Sequence, residues 1–567
     1  MKYLLFLLSL FANTIFAQTS ILSPYPRGYF RDPLNIPIRL AGNFGELRPN
    51  HYHMGLDIKT NRIQNYSVFA AADGYIARVK IEPFGFGRAI YINHLNGYTT
   101  VYGHLNNFNA TLEQYVKQQQ YRLESWAVFL EIPDGLFPVK KGDFIAYSGT
   151  TGGSQAPHLH FEIRETATDI NLNPLLFGLP VPDQIAPEIL RLALYDRNRS
   201  IYEQSPKIIP VRKKGKSYVT APALIITHTN KVSLAITSYD RQTGSSNLNG
   251  IYQAILYENE SEQIRFTMDR IGYYNTRNLN AHIDYKTRAN GGAWLQHLTE
   301  LPGYQNSIYQ RGKGNGVINL ADGKVHNIKI LVKDVYGNSA QLSCRLQYRM
   351  PVATKQDYPG KMFYPGMLNV DGAADCEFYV SEKGLYDSVH INYRKTVSAN
   401  EQVVSAIHSI GEAYIPLQDS LVVRIKPDRD ISPELMDRVV MQRFAGSKNE
   451  VLKVRWQRGW ASAAFREFGN FQLVVDSFPP QISPVGWTNG ADISKASRIT
   501  IAVDDNLKTY KNFRAELDGK WLRFTNDKGG NFIYIFDENC RPGAHELRIR
   551  VEDEAGNSQS ETFRFLR

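Results

Sequence analysis

Cysteine is nearly missing from this chain. Its 567 residues hold three, Cys344, Cys376 and Cys540, widely spaced and with no Cys-x-x-Cys pair. Such a set builds neither a disulfide framework nor a thiolate metal centre. Long apolar runs are missing as well: beyond the first twenty residues no segment is long and apolar enough to cross a membrane as a helix. Positive charge is present but not concentrated. The formal net charge of +10 arises from 65 Lys and Arg against 55 Asp and Glu, spread along the chain with no basic arm. That dispersal suits attraction to an anionic polymer such as cell wall and argues against nucleic acid as a partner.

What is there begins with a leader. Met1-Lys2, the apolar run Tyr3 to Phe11 and the stretch ending at Ala17 read as a secretory signal (1–17) cleaved before Gln18, so the mature protein is expected to be exported, to the periplasm or the extracellular envelope. No cysteine near that cleavage point offers a lipid anchor. At this length several domains follow. Residues 18–180 are dense in short apolar runs such as "SVFAAADGYIARV" and "GRAIYINHLNGYTTVYGHL", separated by Asp-Gly, Asn-Gly and Gly-Gly. They predict an antiparallel β domain. One excursion within it, residues 109–126, has helical spacing at Leu112, Tyr115 and Val116, with Thr111 as its cap, and is expected to cover one edge of any site.

The tail keeps the β texture without the histidines. Prolines precede new apolar runs in "DQIAPEILRLALYD" and "DSFPPQISPV", the pattern of a linker entering a sandwich. The segments "VKDVYGNSAQLSCRL" (332–346) and "VEDEAGNSQSETFRF" (551–565) echo each other at constant offset. Two or three immunoglobulin-like β-sandwiches are expected, over 186–350, 351–477 and 478–567. The whole is an all-β chain whose tail acts as spacer or binds wall glycans.

Chemistry concentrates in three places. "APHLHFEI" (156–163) puts His158, His160 and Glu162 on one face of a strand and Leu159, Phe161 and Ile163 on the other. In "HYHMGLDIKT", His53 and Asp57 are four apart with Gly55 between them, so a turn entering a strand brings an imidazole and a carboxylate together. Two ligands there and one from the His158/His160 strand, completed by water, compose an open zinc site. Cysteine-free donors disfavour softer metals, and imidazoles disfavour an all-oxygen calcium cage. "TTVYGHL" brings His104 to the end of a third strand, so two histidines remain beyond those the metal needs. An activated water requires a group to take its proton and donors for the developing oxyanion, and His104 and His158 fit those roles. No HExxH occurs, so imidazole replaces the glutamate base of helical zinc proteases. His51 and His94 neighbour these motifs and read as structural or supporting.

The ordered series FGELR (44–48), HMGLD (53–57), VFAAADGYI (68–76), YGHL (102–105), KKGDFIAYSGTTG (140–152) and APHLHFEI (156–163), closed by Asn173-Pro174, resembles the lysostaphin-type (LytM-type) zinc metalloendopeptidases that cleave peptidoglycan. The likeness covers roughly Pro24 to Gly178. It implies an antiparallel β domain with an open cleft, zinc held by His53, Asp57 and His160, and His104 and His158 as catalytic groups acting on peptide bonds of peptidoglycan. The connection from Asn106 to Pro138 is longer than that family's and could narrow or gate the cleft. The competing reading is a non-catalytic envelope protein, or an activator of other wall hydrolases, using the same pocket.

Overall fold

The computed structural model describes residues 24–350 and 358–567, so the expected leader 1–17 lies outside the described residues. Seven strands make the main run of the first sheet: β1 (Leu40–Gly42), β2 (Leu56–Lys59), β3 (Gly74–Ile81), β4 (Arg88–His94), β5 (Tyr98–Gly103), β6 (Val128–Glu131) and β7 (His158–Glu165). Their spatial order is β1-β2-β7-β5-β4-β3-β6, antiparallel throughout. The alternation in "HLHFEI" does form a strand, and it sits between β2 and β5. Leu159, Phe161 and Ile163 go into the core with Leu56 and Ile58, all fully buried. A small second sheet of Ser67–Phe69, Phe144–Ser148 and Leu105–Phe108 closes the domain.

The register of this sheet places the site. His160 stands opposite Asp57 on one side and opposite Gly103 on the other. The ligand pair of one motif and the histidine following Gly103 are thereby brought to His160 from both flanks. A one-residue slip would turn His160 into the core, and the apolar face of β7 opposes that.

The helical excursion forms as α1 (Ala110–Leu123), burying Leu112 and Val116. Its cap is Asn109, whose side chain accepts the Leu112 N–H, rather than Thr111. Asn and Thr both cap well, and here the extended residue preceding the helix happens to be the asparagine. α1 also carries the last sandwich. Lys117 pairs with Asp537 (2.7 Å) and Glu538 (2.8 Å), Arg514 with Glu124 (2.6 Å), and Tyr121 meets Trp521 edge-on at 5.2 Å.

Three two-sheet layers follow. Residues 188–348 form sheets of five and seven strands, residues 369–475 two sheets of five, and residues 481–566 sheets of three and five. Two strand pairs in the tail are parallel, Ser217–Thr227 with Ser339–Tyr348 and Ala491–Asp492 with Ser558–Leu566. The first sandwich is no distant spacer. Phe44, Tyr52 and Met54 of the peptide loop between β1 and β2 are buried in its core, and its Arg270–Ile271 strand pairs with Asn171–Leu172 of the first domain. Burial of each such side chain is worth roughly 1.5–3 kcal/mol. All three cysteines are buried and free. No helix of the described residues is long and apolar enough to cross a membrane.

Candidate metal centre

His53 lies in the loop just before β2 and Asp57 within β2, and the Gly55 between them allows the strand to approach β7. A Cβ built on Gly55 would fall 2.5 Å from Phe161 O and 2.9 Å from His160 Nε2. With glycine there, three donor atoms converge. His53 Nε2 is 2.9 Å from Asp57 Oδ1 and 3.1 Å from His160 Nδ1, and His160 Nδ1 is 3.0 Å from the same carboxylate oxygen. All three residues are under a tenth exposed. His158 Nε2 reaches Asp57 Oδ1 at 3.2 Å, and the His104 ring lies 4.7 Å from that of His158 and 5.8 Å from that of His160.

Each of these four imidazoles spends one N–H on a fixed acceptor. His53 Nδ1 donates to Asn43 O (2.8 Å), His160 Nε2 to Glu162 Oε1 (3.0 Å), His158 Nδ1 to Ala156 O (2.8 Å) and His104 Nδ1 to Thr151 O (2.9 Å). In their neutral forms, His53 Nε2 and His160 Nδ1 then face each other with lone pairs, beside a carboxylate. That arrangement is repulsive unless a cation sits among them, so the donor set fits a divalent metal of the imidazole-and-carboxylate class.

The charges agree. Burial works against ionising Asp57, yet the neighbouring His53 and hydrogen bonds from His158, His160 and His53 hold its carboxyl well below the usual range. Burial likewise opposes a charge on His160, but bonds to Asp57 and Glu162 raise it to about 9, the mark of a pocket that demands positive charge. His104 is driven the other way, to about 3, by burial and by His160 and His158, so it stays neutral. Its backbone is in the left-handed region, φ 62, strain that persists only where surrounding structure fixes it.

The sequence reading put Glu162 on the face of His160 but did not find the partners that hold it. Glu162 is fully buried, accepts from His160, Arg164 Nε (2.7 Å) and Tyr273 Oη (2.8 Å), and is held at about 2 against its burial, first by Arg164 and then by His160. Tyr273 comes from the first sandwich. So does the far end of another tie: Asn43, whose carbonyl fixes His53, exchanges two 2.8 Å side-chain bonds with the backbone of Gly250. Arg48 of FGELR reaches the second oxygen of Asp57 at 3.1 Å. His51 bonds only to Pro49 O, and His94 is buried between Asp73 O and Thr100 Oγ1, so neither joins the donors.

Residues 51–121 match the family described as Peptidase family M23, and residues 361–476 match a Zu5-like domain. A protein of Haemophilus influenzae (strain ATCC 51907 / DSM 11121 / KW20 / Rd) named an uncharacterized metalloprotease is 32% identical over 163 residues, 27% of this chain and 28% of its own length. The DD-carboxypeptidase/endopeptidase Mpg of Neisseria meningitidis serogroup B (strain ATCC 13091 / M2091) is 31% identical over 28% of this chain and 30% of its own. The solved catalytic domain of lysostaphin from Staphylococcus simulans is 24% identical over 25% of this chain and 91% of that chain, with a TM-score of 0.19. The chain therefore carries an M23 peptidase domain, matched over residues 51–121. It spans under a third of the length of the curated relatives it matches.

Proposed function

We propose that this chain is an exported zinc metalloendopeptidase that hydrolyses peptide bonds in the stems or cross-bridges of peptidoglycan. The observation that carries this reading is the convergence of His53 Nε2, Asp57 Oδ1 and His160 Nδ1 within 3.1 Å, flanked by the imidazoles of His158 and His104. Zinc bound by the three donors would supply a Lewis acid and lower the pKa of a water there to about 7.

The chain's own residues account for the rest. His158 and His104 each have Nδ1 committed to a carbonyl, which leaves Nε2 as the nitrogen that exchanges a proton, in His158 3.2 Å from the Asp57 carboxylate. One of them takes the proton from the attacking water, and the imidazolium so formed faces the oxyanion growing on the scissile carbonyl. That proton then passes to the leaving amine as the C–N bond breaks. Asp57, shared by His53, His158 and His160, keeps the imidazoles in register. The dispersed positive charge of +10 favours residence on an anionic wall.

The test uses the full chain, with zinc content measured first and release of peptides from purified peptidoglycan second. One zinc per chain with cleavage, both lost in His160→Ala, is the expected result. His158→Ala keeps the metal and lowers turnover by about 10²–10⁴-fold. Cleavage surviving in His160→Ala would overturn the assignment. Zinc bound without cleavage in the wild type would move it to the binding or activating role.

A further inference from the structure

The echo between 332–346 and 551–565 extends to places the sequence does not align by eye. Each of the first and last sandwiches is entered by Asp-x3-Pro-x-Ile: Asp183, Pro187, Ile189 in one and Asp476, Pro480, Ile482 in the other. The strand that follows pairs Glu188 with Tyr239, and Gln481 with Asp504. The next residue after each partner is an aspartate, Asp240 or Asp505. The hairpin of the echo closes with Lys333 opposite Ser339, and Glu552 opposite Ser558, and again the next residue is an aspartate, Asp334 or Asp553.

These six positions assemble into two clusters. In Asp183, Asp240 and Asp334, and again in Asp476, Asp505 and Asp553, one carboxylate oxygen from each residue lies within 4.8 Å of the others. The local scaffolds match. Asn338 donates to Asp334 from its backbone (2.8 Å) and its amide (2.6 Å), as Asn557 does to Asp553 (2.8 and 2.7 Å). Asp183 accepts the N–H of Ile185 at 3.0 Å, and Asp476 that of Phe478 at 3.2 Å.

Three carboxylates held together inside a protein need positive charge or protons. Among the described residues no Lys, Arg or His forms an ion pair with any of the six. A separate observation points to a ligand. The amide oxygen of Asn249, a residue 2% exposed that lines the cavity shared by Asp183, Asp240 and Asp334, has no hydrogen-bond partner. Asp240 Oδ1 is equally unpartnered, at 7% exposure. In the second cluster Asp476 Oδ2 and Asp505 Oδ1 are buried without partners, at 1% and 5% exposure. A buried acceptor left unsatisfied costs about 1–3 kcal/mol.

We propose that each cluster is a calcium site, one at the joint between the peptidase domain and the first sandwich and one at the joint between the second and last sandwiches. The donors are all oxygen, which selects a hard cation, and three carboxylates, joined in the first cluster by the Asn249 amide oxygen, suit calcium over the rigid octahedron of magnesium. Each site takes one aspartate from the entering linker and two from the sandwich it enters, so the bound ion fixes the linker to the sandwich. The first site also adjoins the metal centre, because Gly250, the neighbour of Asn249, holds Asn43, which holds His53.

The test takes the full chain, stripped on a chelating resin and reloaded with one equivalent of zinc so that the His53 site is filled, and titrates calcium by calorimetry alongside thermal melting. Two equivalents of calcium bind and the melting temperature rises. Asp240→Asn with Asp334→Asn removes one equivalent, Asp505→Asn with Asp553→Asn the other, and each pair removes its part of the calcium-dependent rise. Without a cation, the same changes merely relieve like-charge repulsion and stabilise the protein equally with and without calcium. That outcome would overturn the proposal, as would no binding up to about 10 mM calcium, above the 10⁻⁴–10⁻³ M range of extracellular calcium modules. A single equivalent in the wild type would overturn the site whose paired variant leaves that equivalent in place.

Discussion

Asp527 Oδ1 accepts the backbone N–H of Gly152 at 2.8 Å, across 375 residues of sequence. Gly152 follows Thr151, whose carbonyl anchors His104, and precedes Ser154, whose hydroxyl lies 3.2 Å from His158 Nδ1. The next residue, Lys528, donates its N–H to Pro83 O at 2.7 Å and its ammonium to Ser154 O. The last sandwich therefore grips both loops beside the two histidines assigned to catalysis, while its Arg514, Trp521 and Asp537 meet α1. Removing residues 478–567 should speed backbone hydrogen exchange in residues 83–87 and 150–154 while leaving the buried strand β7 protected. Unchanged exchange in those loops would mean that the contact adds no order to them.

Glu162 positions His160 without being one of the three converging donors. Glu162→Gln keeps the shape but presents an amide in place of the carboxylate that His160 and Arg164 share, and should weaken metal affinity about 10–100-fold in a chelator competition. Tyr273→Phe removes one of the bonds to the same carboxylate and should act in the same direction, by less. A Tyr273→Phe variant as weak as Glu162→Gln would instead place the larger effect in the packing of the first sandwich.

The motif residues were legible because strand periodicity alone puts His158, His160 and Glu162 on one face, and because the His53–Asp57 spacing needs only a local turn. The helix around Leu112 and Val116 was legible for the same local reason. What could not be read were partners fixed by packing between domains: Tyr273 on Glu162, Gly250 on Asn43, and Phe44, Tyr52 and Met54 inside the first sandwich. No periodicity links positions more than a hundred residues apart. The tail was taken for a spacer because its apolar alternation says that a face is buried, never against what.

Those partners bear on acid stability. His282 of the first sandwich is fully buried, with Nδ1 2.8 Å from Tyr309 Oη, and burial lowers it to about 3. His94 in the peptidase domain is lowered to about 4, also by burial. The unfolded chain binds a proton at each near pH 6.5, before the folded one does, so stability is full above that pH and falls as pH drops toward the folded values. For His94 the shift corresponds to about 3 kcal/mol. A His282→Gln variant, compared with wild type, should show a shallower loss of melting temperature between pH 6.5 and 3. Parallel curves for the two proteins would show that His282 is not one of the groups responsible.

Gly55 tests the approach of β2 to β7 most directly. Its φ is not in the left-handed region, so alanine would meet no backbone strain there, only the contacts with Phe161 O (2.5 Å), Glu162 Cγ (2.8 Å) and His160 Nε2 (2.9 Å). The first is main chain of a central strand and the other two belong to the buried, mutually bonded Glu162 and His160, so none can yield cheaply. Gly55→Ala should cost about 1–3 kcal/mol, as overpacking does in well-filled cores, and push His160 Nδ1 away from His53 and Asp57. The measurement is denaturant unfolding of the metal-free protein beside zinc affinity of the folded protein. Loss of affinity larger than the loss of stability is the expected pattern, because a displaced imidazole loses its ligand geometry before the strand pair separates. Equal stability and affinity in the variant would mean that β2 and β7 have slack between them, and that the glycine is not what lets the three donors meet.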